Sequence, residues 1–480
     1  MLYPEDSIYY PTQKLGKLAL RNSLSPHILC VNPWIHDFAA FDFWAKPLGL
    51  FSIAAILREK GLKVSYIDCL DRFHPKESKK IKIFWDGRGP FRKTQIKLPH
   101  ELEPKKLETE KLEAIELKTI GKKYSRYGIK PEWFIADLKK TENPDIIFVT
   151  SLMTYWASGV KETIEIIKKI FPDIPIVLGG IYATLNFEHA KRYTRADLVI
   201  KGAGEQQLKK IIKDFTGFEM EESKISDDLN RLPYPALDLQ NKIAYAPILT
   251  SRGCPFSCDY CASSYLEPKF RQRSPENVFK EIIHWHNNHQ IKNFAFYDDA
   301  LLMNAKSCVF PLFEKIISSK LDIWFHTPNA MHIKAITKQA ADLMFKAGFK
   351  TIRLGLETTD FSNKRNHDVK VVKNDFYQAI DNLKTAGFNK NQIGAYLLCG
   401  LPEQNLDEVE ISMRLVAKTG ITPVLAYYTP IPHTPMWNRA VKHSKLGLHE
   451  HPVFTNNTLF PCINSSVDLK RISRLKNFSI

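Results

Sequence analysis

Three cysteines, Cys254, Cys258 and Cys261, stand in the run Arg252-Gly253-Cys254-Pro255-Phe256-Ser257-Cys258-Asp259-Tyr260-Cys261. This C-x3-C-x2-C spacing puts three thiolates on one short loop. They can cap three irons of a cubic [4Fe-4S] cluster and leave the fourth iron without a protein ligand, open to a substrate-like molecule. A structural zinc site is the competing reading, but it normally closes around four ligands. No fourth Cys or His follows at finger-like spacing, and the next cysteine is Cys308. Iron–sulfur centres that only pass electrons use four thiolates per cluster. The spacing favours an open iron.

The loop resembles that of the radical S-adenosylmethionine (SAM) superfamily, which has this spacing and an aromatic residue before the last cysteine, here Tyr260. The resemblance implies that Cys254, Cys258 and Cys261 are both metal ligands and the catalytic centre. It further implies that the amino and carboxylate groups of SAM chelate the open iron. An electron from a flavodoxin- or ferredoxin-type donor would then split SAM to a 5′-deoxyadenosyl radical.

Such a loop needs a scaffold, and the residues after it supply one. Strands are predicted at 247–250, 293–297, 322–326, 351–356, 394–399 and 423–428, separated by helical stretches. Ser274-Pro275-Glu276 reads as a helix start, with Ser at the cap and Pro at the first helical position. Two helices end alike, at Ala347-Gly348-Phe349 and Ala386-Gly387-Phe388. Six such units suit a partial (β/α)6 barrel, open on one side, with its chemistry at the strand C-terminal ends. There the resemblance continues. Tyr297-Asp298-Asp299 falls where relatives hold the SAM amino group. Gly355-Leu356-Glu357 falls where they contact the ribose or methionine moiety. Leu398, Gly400 and Glu403 match three of four positions of the adenine-side segment, with Tyr396 replacing its first glycine.

Upstream, residues 25–218 alternate β-branched runs at 27–31, 63–68, 145–150, 174–178 and 197–201 with helical stretches at 48–60 and 159–170. This is the pattern of a doubly wound parallel sheet, whose ligands bind outside the strand carboxyl ends. The region is similar to the Rossmann-like cobalamin-binding domain that precedes the barrel in one class of radical SAM enzymes. Ser151 and Gly179-Gly180 match the serine and the Gly-Gly that line the slot for the nucleotide tail. Pro47-Leu48-Gly49-Leu50, Gly202-Ala203-Gly204-Glu205 and the proline-rich turn 429–435 match as well. The glycines let a bulky group lie against the backbone, and the Ser151 hydroxyl could hydrogen-bond the buried base. The Asp-x-His-x-x-Gly segment that gives cobalt a histidine is absent. His36 lies in the equivalent loop without that Asp and Gly, so it reads as an ordinary loop histidine and no lower histidine ligand is expected.

The expected organisation is an extension over 1–24, the cobalamin-type domain over 25–218, a linker over 219–241, the barrel over 242–440 and a tail over 441–480. A charged insert at about 75–130 reads as a solvated excursion without chemistry; its later half carries Leu102, Leu107, Leu112, Ile115 and Leu117 near one helix face. The tail could pack over the barrel mouth or carry substrate contacts. Cys30, Cys69, Cys308, Cys399 and Cys462 mostly fall in apolar runs and are expected to be buried. At 480 residues, 44% hydrophobic and 25% charged, the chain has a globular composition of two or three domains. It shows neither an export signal nor an apolar run long enough to span a membrane. Cysteine usage points to the cytosol, and the oxygen sensitivity of an open iron points to an anaerobe. The net charge of +16 is spread through lysine-rich helical stretches rather than gathered in a basic aromatic patch, so no nucleic-acid partner is expected.

The combined expectation is a cobalamin-dependent radical SAM enzyme that methylates an unactivated carbon of an organic substrate the sequence does not name. A cyclisation or rearrangement with the same cofactors is the alternative. A tRNA methylthiotransferase fits less well, since those enzymes carry a second three-cysteine cluster in the first domain, where this chain has only Cys30 and Cys69. A non-catalytic cobalamin or iron–sulfur carrier would bind the cofactors without cleaving SAM.

Overall fold

A computed structural model describes residues 8–9, 25–79, 81–100, 123–221, 228–362 and 371–476. The apolar face expected at Leu102, Leu107, Leu112, Ile115 and Leu117 lies outside the described residues, as does most of the N-terminal extension.

The first half contributes β1 (Ile8–Tyr9), β2 (His27–Asn32), β3 (Ile35–Asp37), β4 (Lys63–Asp68), β5 (Lys93–Gln95), β6 (Ser125–Tyr127), β7 (Ile146–Val149), β8 (Ile176–Leu178) and β9 (Leu198–Ile200). Six of them form one sheet in the order β1-β9-β8-β7-β2-β4, parallel except for β1. Setting β1 aside, this is the 2-1-3-4-5 order of flavodoxin-like sheets, whose ligand crevice opens where the strand order reverses. Here that point lies between β2 and β7. Alternate residues of each strand serve opposite cores. Ile28, Cys30, Ile146 and Phe148 pack under the helices Leu48–Glu59 and Leu208–Thr216. Leu29, Val31, Ile147 and Val149 pack under Pro131–Lys140 and Ala157–Ile170.

The second half contributes β10 (Ala246–Ile248), β11 (Ser251–Arg252), β12 (Arg271–Gln272), β13 (Asn293–Phe296), β14 (Trp324–His326), β15 (Met331–His332), β16 (Phe349–Glu357), β17 (Ile393–Cys399) and β18 (Thr422–Tyr427). Six parallel strands run in the order β10-β13-β14-β16-β17-β18, and among the described residues β10 and β18 do not pair, which leaves the barrel open. Ser274 caps its helix by accepting from Asn277 N at 3.2 Å. Phe294, Phe296, Phe325, Phe349 and Leu354 face the outer helices. The intervening residues, among them Tyr297, His326, Arg353 and Tyr396, face the lumen.

One expectation changes. The described part of the 75–130 insert is not a solvated excursion. Strands β5 and β6 pair with β3, and Trp85 sits edge-on to Trp324 of the barrel at 5.9 Å. Within the insert Phe91 and Tyr127 are buried with Ile35 and Leu70, a contact its charged composition hid. In the loop before the helix Leu48–Glu59, Trp44 enters the lumen and stacks on His326 at 5.1 Å, and a buried Arg72–Asp42 pair at 2.9 Å fastens this loop. The tail packs at the carboxyl ends of β17 and β18, at the barrel mouth, and forms a wedge between the two domains. Val453, Phe454, Leu459 and Cys462 share a core with Phe38 and Tyr124 on one side and Leu398 and Tyr428 on the other. Asn456 Nδ2 donates to the buried Asp37 carboxylate at 2.9 Å. The helix Trp437–His443 crosses the boundary expected at 440. No helix among the described residues is long and apolar enough to cross a membrane.

Burial pushes His326 down to about 4, and His451 of the tail likewise. Both rings are therefore neutral in the folded protein at pH 7. An unfolded chain takes up their protons as the pH falls below about 6.5, so stability is lost on acidification through that value toward the folded pKa. The expected loss is roughly 2 kcal/mol per ring by pH 5. His326→Gln, which can still bond Asn293 and Thr351, should lose less stability than wild type between pH 7 and pH 5, read as urea midpoints.

Candidate functional site

The cysteine loop leaves β10 and returns through a two-stranded ribbon in which Ser251 pairs with Gln272 and Arg252 with Arg271. Gly253 has φ +81, and a Cβ there would come within 2.7 Å of Lys269 O, so only glycine lets the chain enter the loop under that crossing backbone. Cys258 is buried, at 7% exposure; Cys254 and Cys261 are half-buried. Cys254 Sγ lies 4.0 Å from Nε2 of His332 on β15, and Phe256 packs on that imidazole at 4.1 Å. Cys261 Sγ accepts from Ser263 N at 3.5 Å and lies 3.3 Å from Ser263 Oγ. The Ser263 hydroxyl also bonds Asp299, whose carboxyl is pushed up by burial and pulled down by that bond. Among the described residues no three His, Cys, Asp or Glu side chains meet as ligands of one ion. An all-thiolate donor set of three suits an iron–sulfur cluster.

The barrel residues divide. Asp298 is fully engaged by protein: its carboxylate accepts from Thr250 N at 3.0 and 3.1 Å, from Thr250 Oγ1 at 2.5 Å and from Ser251 Oγ at 2.7 Å. It fixes the corner from which the cysteine loop departs. The Tyr297 hydroxyl donates to Trp44 O and accepts from Lys46 N at 3.0 Å. The backbone carbonyls of Tyr297 and Asp298 turn to Asn329 Nδ2, at 2.9 and 3.3 Å. Tyr260 packs against the tail wedge. Glu357 ends β16 with φ +64, at a register shift against β17; such backbone strain in a non-glycine residue costs energy and clusters at functional sites. Glu403 is not brought into the crevice. Its carboxylate is mostly exposed and pairs with Arg439 at 3.3 Å. The neighbouring turn is held instead by Gln404, which accepts from Gly400 N at 2.7 Å and Leu401 N at 3.2 Å and donates to Leu398 O at 2.9 Å. Only the turn's sequence, not Gln404, pointed there.

At the first sheet's crevice Ser151 Oγ donates to Gly179 O at 2.7 Å and accepts from Ala183 N at 3.2 Å. Gly180 has φ +99, and a Cβ there would approach Ser151 N to 2.7 Å and Ser151 O more closely. A Cβ on Gly179 would meet nothing within 4 Å, so that face is a bare backbone cradle. This fits a large flat group laid against the strand ends. His36 does not point there: it is buried against Glu162 at 2.8 Å.

The two crevices adjoin. The helix Ile181–Leu185 after Gly180 packs on the helix Ser263–Leu266 after Cys261. Tyr265 is stacked on His433 at 4.2 Å, His433 Nε2 lies 3.0 Å from Leu185 O, and Lys201 covers Tyr265 at 5.4 Å. Glu205, next to Gly204, pairs with Arg252 at 2.8 Å. Pairwise contacts of this kind leave no periodic trace in a sequence. A separate cavity of about 530 Å³ follows the outer edge of β4, lined by Lys63, Asp68, His74 and Asp137 among others. None of the expected site residues lines it.

The radical SAM superfamily model matches residues 248–416, and the B12-binding domain model matches residues 123–212. An uncharacterized methyltransferase of Pyrococcus horikoshii is 25% identical over 346 residues, covering 65% of this chain and 72% of that protein. The anaerobic magnesium-protoporphyrin IX monomethyl ester cyclase of Cereibacter sphaeroides is 25% identical over 344 residues, covering 63% of this chain and 54% of the cyclase. Among solved structures, the radical S-adenosylmethionine methyltransferase TsrM of Kitasatospora setae superposes with a TM-score of 0.59 at 14% identity, over 87% of this chain and 76% of that one. At that identity the likeness is one of fold.

Proposed function

Because the chain belongs to the radical SAM superfamily and carries a B12-binding domain, we propose that it is a cobalamin-dependent enzyme that reductively cleaves SAM and methylates an unactivated carbon of an organic substrate. One observation carries the reading: the thiolate loop and the Gly179-Gly180 cradle, from different domains, share a packed border at Tyr265, Leu185 and His433. Cys254, Cys258 and Cys261 would hold the cluster. The carbonyls of Tyr297 and Asp298, with Asp299, Glu357 and the Gly400 turn, would surround SAM, and Ser151, Gly179, Gly180 and Gly204 would line the corrin slot. When bound, these groups supply the electron transfer, the hydrogen abstraction and the methyl group, while the protein orients them and excludes water. Trp44, stacked on His326, fills one side of the lumen and limits where a substrate can lie. The open side between β10 and β18 admits it. An acidic flavodoxin or ferredoxin would be drawn by the net charge of +16, in the cytosol of an anaerobe.

Anaerobic reconstitution with reductant, hydroxocobalamin and methyl-labelled SAM tests this. Deoxyadenosine release with label in the product supports methyl transfer. Release without label transfer favours the second reading, a cyclisation, to which the 25% identity with the anaerobic cyclase lends weight. Cofactor binding without any release would leave only a carrier. Gly180→Ala should cost about 1–3 kcal/mol in stability and abolish corrin retention on gel filtration, because its Cβ would displace the Ser151 backbone. It should leave iron content unchanged.

A further inference from the structure

We infer that Glu205 is a positioning residue that couples the corrin slot to the cysteine loop, so that SAM and corrin bind cooperatively through the Glu205–Arg252 pair. The inference rests on the function proposed above. Four charged side chains form one network at the base of the loop. Arg252 lies two residues before Cys254 and Arg271 pairs with it across the ribbon. Glu267 holds Arg271 at 3.0 Å, and Arg252 feels both Glu205 and Glu267. Three of the four belong to the cysteine loop and the ribbon that closes it. Glu205 alone comes from the other domain. It follows Gly204 at the carboxyl end of β9, and it is 7% exposed.

The geometry leaves little slack. Glu205 sits on the short helical turn Gly204–Gln206, which packs against the helix Leu48–Glu59. The loop entrance is fixed by Gly253 under Lys269 O. Through this buried 2.8 Å pair, a group that moves the β9 turn would shift Arg252, and a ligand that orders the cysteine loop would steady the β9 turn. Linkage makes the effect reciprocal: SAM and corrin change each other's affinity by the same factor.

The test uses full-length protein with reconstituted cluster, titrated anaerobically with hydroxocobalamin, with and without SAM, and read by corrin absorbance. In the wild type SAM should tighten corrin binding about tenfold. Glu205→Gln and Arg252→Lys should each reduce that factor to below about twofold while iron content stays intact, because Glu267 still neutralises a cation at 252. Arg58→Gln, which breaks the exposed pair with Asp238, should keep the wild-type factor. The inference is overturned if the wild type shows no coupling or if both pair variants keep it. Loss of iron in both would equally overturn it, making the pair only a clamp of the fold. A wild type that binds neither SAM nor corrin would instead sink the proposed function itself.

Discussion

Replacing Cys254, Cys258 or Cys261 singly with alanine should remove the four-iron absorption of anaerobically prepared protein and bring deoxyadenosine formation to background. Each sulfur would be the sole protein ligand of one iron, so no neighbouring side chain can substitute. His332, 4.0 Å from Cys254, is the nearest candidate to rescue an alanine at 254. Its ring is already packed under Phe256, and an imidazole is a poorer partner for iron–sulfur chemistry than a thiolate. The other cysteines provide the control. Burial pushes the Cys30, Cys399 and Cys462 thiols up to about 12 and Cys308 up to about 11. They stay protonated and inert, as buried structural thiols do. Cys399→Ala should cost roughly 1–3 kcal/mol of stability and leave both iron content and deoxyadenosine release at wild-type levels. Retained cluster in any loop variant would remove the foundation of the proposed chemistry.

What the sequence disclosed follows from which features are local. The cysteine spacing, the helix start at Ser274 and the paired Ala-Gly-Phe stops are fixed within a few residues. All the strands expected in the two parallel sheets form within a few residues of their expected bounds, because β-branched runs buried on both faces read clearly. What stayed hidden was pairwise. Arg252 lies in the loop that drew attention first, yet nothing in its neighbours announces Glu205. The insert looked solvated because its lysines outnumber its aromatics. Trp85 nevertheless reaches the barrel, and so does Trp44 from the loop before the first helix. The tail could not be placed, since a wedge takes its apolar pattern from two partners at once and shows neither helix nor strand period. Glu403 illustrates a related point: a motif position specifies a turn, while its side chain pairs with Arg439, which the motif does not contain.

Asp298 shows the same gap between motif and contact, and its replacement should have the second largest effect. Its position at the end of β13 suggested a contact to the SAM amino group. Its carboxylate is instead enclosed by the Thr250 and Ser251 donors. Burial is the largest influence on this carboxyl and pushes its pKa up, while those donors pull it down. Asp298→Ala would leave the Thr250 amide and two hydroxyls facing a dry cavity, at a cost of about 3–5 kcal/mol. The corner feeding the cysteine loop would loosen, so iron content should fall although no sulfur is lost. Asp298→Asn keeps one acceptor for Thr250 N, sheds the penalty of burying a charge, and lets the hydroxyls rotate to accept from its amide. It should cost only about 1 kcal/mol and retain the cluster, with KM for SAM within about twofold of wild type. Urea midpoints and iron content of the two variants, read together, decide the matter. A carboxylate that faced SAM would give the opposite pattern, with both variants equally stable and both raising KM.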